Sequence, residues 1–254
     1  MAETLRGRYI AVTRPAEQAE KLTALIEQAG GTVIPYPLIE ITALDDRTQF
    51  KAQLDKMPEY DWAIFISSNA VQYGMPQFAE RYSSILPKLR FAAIGPTTAA
   101  ELKKFGIDDT LIPENRFDSE SLLALPEMQD VISKKIMIFR GVGGREILAE
   151  TLRQRGAHVE FAECYRRRNP QKDLATLHNY RTKGELDAIV VTSSEAMRYL
   201  LQLGSDSQWL PSVPLCVNHE RVAELPREKG MLVSVAEVPG DEGMLRCLEL
   251  TLAT

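Results

Sequence analysis

The residues best equipped for chemistry in this chain stand in one short run, Glu163-Cys164-Tyr165-Arg166-Arg167-Arg168. A tyrosine phenol, with an ordinary pKa near ~10, keeps its proton at neutral pH and can donate it to a departing oxygen. The same run also reads as a half-buried strand tyrosine followed by a solvated arginine triplet. The other reactive groups are sparse. His158, His178 and His219 do not pair with one another, with cysteine or with carboxylates at metal-ligand spacing, so no metal is expected. Cys164, Cys216 and Cys247 are odd in number and far apart, which excludes a disulfide framework and a C-x-x-C unit and fits a reducing cytoplasm. Arg140-Gly141-Val142-Gly143-Gly144-Arg145 has the look of a dinucleotide loop, but its third glycine would fall on Glu146, whose carboxylate opposes a pyrophosphate. Neither a G-x-x-x-x-G-K-[ST] loop nor a G-x-S-x-G elbow is present, so hydride, phosphoryl and acyl transfer all lack their usual marks.

Small polar residues and arginines recur instead at one structural position. Apolar runs at Tyr9–Val12, Ala63–Ile66, Phe91–Ile94, Ile136–Phe139, Ala188–Val191 and Leu215–Val217 predict buried strands, and helical spacing follows them, as over Ala16 to Ala29 before Gly30-Gly31. Between strand and helix lie Thr13-Arg14-Pro15, Ser67-Ser68-Asn69, Gly95-Pro96-Thr97-Thr98, Arg140-Gly141, Thr192-Ser193-Ser194 and Asn218-His219-Glu220. In open parallel sheets those turns offer unpaired N–H groups to anionic ligands. The same residue types also serve simply as helix caps.

The alternation of strand and helix occurs twice. Sliding the sequence by the spacing from Arg14 to Arg140 also matches Gly30 with Gly156, Val33 with Val159, Asp61 with Asp187, Ser67-Ser68 with Ser193-Ser194, Ala70 with Ala196 and Tyr73 with Tyr199. Tyr165 falls opposite Ile39, so the repeat does not account for it. Two α/β domains with parallel sheets follow, and 254 residues suffice for both. Facing one another, they would enclose a cleft lined with donors for a carboxylate or phosphate. With 44% hydrophobic and 26% charged residues the chain is an ordinary globular protein. Its 35 acidic against 30 basic side chains argue against a nucleic-acid or anionic-membrane binder. The stretch Met1 to Arg8 lacks the apolar run of a secretion signal, and no segment reaches the roughly 18–20 apolar residues of a membrane span. A cytoplasmic location is the expectation.

Six pieces in order resemble the uroporphyrinogen-III synthase family: Ala11–Pro15, Phe65–Val71, Ala93–Ala99, Gly143-Gly144-Arg145-Glu146-x-Leu148, Tyr165-x-Arg167 and Val191–Ser194. The resemblance implies two flavodoxin-like α/β domains joined by a two-stranded linker, with the ligand cleft between them. It places domain one at 1–36 plus 169–254, domain two at 43–160, and the linker strands at 37–42 and 161–168. It implies a lyase without cofactor that closes hydroxymethylbilane with loss of water and inversion of the last ring, in porphyrin and heme biosynthesis. The resemblance implies a monomer, and a transient contact with the preceding pathway enzyme stays open. Tyr165 then matches the linker tyrosine proposed to assist loss of the hydroxyl. Ser67, Ser68, Thr97 and Thr98 match turns expected to bind acetate and propionate groups, and Ser193 and Ser194 are their counterparts. Arg14 and Arg140, with Gly141 beside it, match basic turn positions. Where domain two has Gly95-Pro96-Thr97-Thr98, domain one has Asn218-His219-Glu220-Arg221. His219 is there either a substitute donor or an exposed helix cap. Two other classes stay open on sequence: a two-lobed cytoplasmic receptor for an anionic metabolite, and a catalytically degenerate homologue.

Overall fold

A computed structural model describes residues 3–84 and 86–253; Met1, Ala2, Ile85 and Thr254, which the expected domain ranges include, lie outside them. The chain opens with β1 (Tyr9–Val12), α1 (Ala16–Gln28) and β2 (Thr32–Pro35). There follow β3 (Glu40–Ala43), α2 (Thr48–Asp55), β4 (Trp62–Phe65), α3 (Ser68–Arg81), β5 (Arg90–Ala93), α4 (Pro96–Lys103) and β6 (Thr110–Leu111). Short α5 (Ser119–Leu123) and α6 (Pro126–Gln129) lead to β7 (Lys135–Gly141), α7 (Ile147–Gln154) and β8 (His158–Arg168). The remainder is α8 (Ala175–Thr182), β9 (Ala188–Val191), α9 (Ser194–Leu203), β10 (Leu215–Val217), α10 (Glu220–Glu228), β11 (Val233–Val235) and α11 (Asp241–Leu252).

The chain forms two compact units, one reaching to Glu40 and resuming at Arg168, the other Ile41–Arg167. The first carries a parallel sheet in the order β2-β1-β9-β10-β11, the flavodoxin-like order. The second carries β3-β8-β7-β4-β5-β6, in which β3 and β8 are the adjacent strands through which the chain passes between units. Under the repeat, β7 answers to β1, β8 to β2, and β4, β5 and β6 to β9, β10 and β11, so the two sheets share one strand order. Each sheet therefore takes its first two equivalents from one sequence copy and its last three from the other.

Burial on both faces explains the unbroken apolar strands. In β4, Ala63 and Phe65 join a core with Met137 and Phe139 of β7, Val71 and Met75 of α3 and Leu102 of α4. The alternate residues Trp62 and Ile64 join Ile136, Ile138, Leu122 of α5 and Leu148 and Leu152 of α7 on the other side. In the first unit, Ile10, Val12 and Val190 pack under Leu22 and Ile26 of α1 and Met244 and Leu248 of α11.

Several residues matched by the repeat prove to be architectural. The Asp187 carboxylate accepts the Tyr9 N–H at 2.8 Å and pairs with Arg8 at 3.0 Å, fixing the start of β1. Asp61 does the same for β7, accepting the Lys135 N–H at 2.8 Å with Lys134 beside it at 3.4 Å. Gly30 and Gly156 adopt φ of +85° and +87° where α1 and α7 end, a conformation that costs glycine little. Among the described residues no helix is long and apolar enough to cross a membrane.

Candidate active site

The order of each sheet reverses at one place, and there the loops part to leave a crevice at the carboxyl ends of the strands. In the second unit this switch lies between β7, which ends at Arg140-Gly141, and β4, which is followed by Ile66-Ser67. β8 runs beside β7, and its ladder slips by one residue at this height: Arg140 faces Glu163, but Gly141 faces Tyr165. Cys164 is the extra residue of a β-bulge, so Cys164 and Tyr165 are both buried although they are consecutive. The bulge turns Tyr165 inward, where it is 1% exposed rather than half-buried.

Four contacts hold the phenol. Its oxygen lies 3.1 Å from Ser67 Oγ and accepts an N–H from Arg167 at 3.4 Å. Its ring stands against the backbone of Gly141, where a Cβ would come within 2.6 Å of Cε2. The Tyr73 ring lies 5.8 Å away, with its hydroxyl donating to the Ile41 carbonyl. Ser67 caps α3 by accepting the Ala70 N–H at 3.1 Å. Next to the phenol, burial pushes the Cys164 thiol up to about 12, so it stays protonated, and it donates to the Arg140 carbonyl at 3.4 Å.

A pocket of about 300 Å³ opens on the glycine loop after β7, bounded by Phe117, Arg140, Gly144, Arg145, Tyr165 and Arg167. Arg140 is 2% exposed and directs its donors to its own loop, to the carbonyls of Gly141 and Gly143, with its guanidinium 4.5 Å over Phe161. Glu163 fixes the same loop by accepting the Gly143 N–H at 3.2 Å. Asp118, the one carboxylate among the described lining residues, caps α5 by accepting the Ser121 N–H, and the Ser121 side chain together with that N–H lowers its pKa. Arg145, paired with Glu120 at 3.8 Å, and Arg167 stay exposed, so the pocket presents guanidinium donors and apolar surface together. An anion attached to a flat ring fits that combination.

The remaining expected residues are placed as follows. Ser68 opens α3, half-buried; Thr97 is exposed in the first turn of α4, and Thr98 is 4% exposed in the same helix. In the first unit the switch lies between β1 and β9. Arg14 there donates from Nε to Thr192 Oγ1 at 3.1 Å and pairs with Asp241 at 2.5 Å. Ser193 caps α9 through the Ala196 N–H at 3.0 Å. Ser194 Oγ and Asn218 Oδ1 are buried with no partner among the described residues, and His219 is exposed at the start of α10 with no capping bond from its side chain. The structure thus brings Tyr165, Ser67, Arg140 and Gly141 together, and Arg14, Ser193, Ser194 and His219 belong to the other unit. Sequence reasoning missed Arg167 as a partner of the phenol, and the one signal for it was the Tyr165-x-Arg167 spacing.

The family model described as Uroporphyrinogen-III synthase HemD matches residues 20–246. A uroporphyrinogen-III synthase of Escherichia coli (strain K12) is 35% identical over 245 residues, covering 94% of this chain and 99% of that protein. One from Proteus mirabilis is 39% identical over 158 residues, covering 62% of this chain and 79% of that protein. Among solved structures, a mutant uroporphyrinogen III synthase of the extremely thermophilic bacterium Thermus thermophilus superposes with a TM-score of 0.66 at 19% identity, covering 97% of this chain and 99% of that one. The Helicobacter pylori 26695 uroporphyrinogen-III synthetase gives 0.54 at 17% identity, covering 97% and 99%. These two likenesses concern the fold alone.

Proposed function

This chain belongs to the uroporphyrinogen-III synthase family and is a cyclising lyase of heme biosynthesis, and on that premise we propose that it closes hydroxymethylbilane to uroporphyrinogen III. The observation that carries this reading is the near end-to-end similarity to the Escherichia coli protein, which covers 94% of this chain and 99% of that one. The first ring's nitrogen expels the hydroxymethyl oxygen as water and leaves a cationic azafulvene. The substituted carbon of the last ring attacks it to give a spiro intermediate, which fragments and recloses with that ring inverted.

The chemistry asks little of the protein beyond geometry and a proton. Tyr165 assists departure of the hydroxyl, with the ring nitrogen supplying most of the push. Ser67, Ser68, Thr97 and Thr98 stand at the N-termini of α3 and α4, whose free N–H groups receive acetate and propionate side chains. Ser193, Ser194 and His219 offer the same at α9 and α10, and Arg14 and Arg140 add positive charge. Gly141 leaves the space that the Tyr165 ring fills. The protein works as a cytoplasmic monomer, meeting the enzyme that supplies the bilane only transiently, and holding the flexible chain's two ends together is a proximity effect. No cofactor, metal, nucleic acid or membrane enters this scheme.

The test generates hydroxymethylbilane in place, adds the protein, oxidises the products and separates the porphyrin isomers. A dominant type III isomer is expected. Only the type I isomer of spontaneous closure, from folded protein, overturns the proposal.

A further inference from the structure

Tyr165 is the residue to which the reaction's proton is assigned above, yet it is only 1% exposed even where it borders the pocket. Hydrogen-bond accounting around its oxygen shows where the proton can go. The phenol oxygen accepts from Arg167, whose guanidinium has only hydrogens to offer. Ser67 Oγ accepts from the Ala70 N–H. The two hydroxyls lie 3.1 Å apart, and either can be the donor. Were Ser67 to donate, the phenol hydrogen would be left without an acceptor among the described residues, which buried polar groups rarely tolerate. With Tyr165 donating, the phenol hydrogen has its acceptor and the Ser67 hydrogen is free to point outward from a half-buried residue just past the carboxyl end of β4.

We propose that Ser67 is the group that hands the proton to the leaving hydroxyl, and that Tyr165 resupplies it from behind. This rests on the synthase reading. As the bond between the hydroxymethyl carbon and its oxygen breaks, that oxygen takes the Ser67 proton and leaves as water. Ser67 takes the Tyr165 proton, and the negative charge comes to rest on the phenol oxygen beside the Arg167 guanidinium. When the newly joined pyrrole carbon loses its proton to restore the aromatic ring, that proton returns through Ser67 to Tyr165, so the net loss is one water. Ser67 is the catalytic residue of this pair in the sense of touching the reacting oxygen. Tyr165 and Arg167 act through it.

A relay in series has a kinetic signature that two independent contacts do not share. Ser67→Asn retains a capping oxygen for α3 but no hydroxyl, and Ser67→Thr retains both. In the coupled isomer assay, Ser67→Asn should lower kcat about ten-fold with KM within about two-fold, below the usual general-acid range because the ring nitrogen supplies the push. Tyr165→Phe should lose no more than that, the Ser67→Asn/Tyr165→Phe double variant should be no slower than Ser67→Asn alone, and Ser67→Thr should recover most of the rate. Melting temperatures of the variants establish that each is folded. Losses that multiply in the double variant, an unchanged kcat in folded Ser67→Asn, or failure of Ser67→Thr to recover the rate would each overturn the relay while wild-type protein still makes the type III isomer. Absence of that isomer from wild-type protein would instead defeat the synthase reading itself.

Discussion

Gly141 and Tyr165 occupy one another's space: the ring lies where any side chain at position 141 would begin, with Cε2 only 2.6 Å and Cζ 2.7 Å from an added Cβ. Gly141 lies outside the left-handed region, so alanine is allowed there by its backbone, and the three atoms nearest its Cβ would all belong to the Tyr165 ring. Gly141→Ala should therefore leave the fold in place at a cost of about 1–3 kcal/mol from overpacking. The displaced ring should lower type III formation by more than that modest loss of stability explains. Thermal melting beside the isomer assay separates the two effects.

Arg14 serves its own unit and its proposed ligand at once. Its side chain is 15% exposed and its partner Asp241 is 18% exposed, so Arg14→Met takes the paired guanidinium from a largely buried carboxylate. The single variant should be both less stable and weaker in binding, seen as a raised KM. Adding Asp241→Asn should restore much of the stability and none of the affinity. Recovery of KM in the double variant would assign Arg14 to architecture only.

Alkaline pH should loosen the fold through two buried acids. Burial lifts the Cys164 thiol from 9.0 to about 12, and burial with nearby Asp173 lifts the Tyr36 phenol from 10.0 to about 12. The folded chain keeps protons that the unfolded chain gives up, so this stabilisation is intact below about pH 9 and fades as pH rises toward 12. Denaturant midpoints should fall between pH 8 and pH 10.5. Cys164→Ala should flatten that decline.

The paired aspartates at the strand starts should differ in measurable degree. Asp187 is 19% exposed and Asp61 40% exposed, though each accepts one backbone N–H at 2.8 Å. Asp187→Ala should cost about 1–3 kcal/mol by leaving the Tyr9 N–H unpaired. Asp61→Ala should cost less, because water reaches the Lys135 N–H more readily. Chemical denaturation of the two variants checks the order, and neither should alter the isomer ratio.

The central strands are legible in the sequence because burial on both faces removes every polar position: Tyr9–Val12, Ala188–Val191 and Leu215–Val217 begin and end where their apolar runs do. The edge strands β6 and β11 are not, since two or three half-buried residues carry no pattern. The repeat is legible too, but much of what it marks is scaffolding, in the aspartate clamps, the Ser67 and Ser193 caps and the glycines after α1 and α7. The chemistry proposed for Tyr165 lies where the copies part. Tyr165 stands opposite Ile39, and the bulge that aims it leaves no mark in composition, because one extra residue in a ladder looks like any other. Arg167 reads as a solvated strand end until that bulge brings its guanidinium to the phenol.

The sharing of sequence copies between sheets sets a timetable for the ribosome. The strands of the second unit leave it in one continuous stretch and can close on one another at once. β1 leaves early, but its clamp at Asp187 follows 178 residues later. At roughly 5–20 residues per second that interval lasts about 10–35 s. Throughout it the apolar face of β1 has no neighbour on the β9 side, and shielding that face falls to whatever meets the nascent chain. A nascent chain released before Asp187 would hold a finished second unit and a permanently open first one.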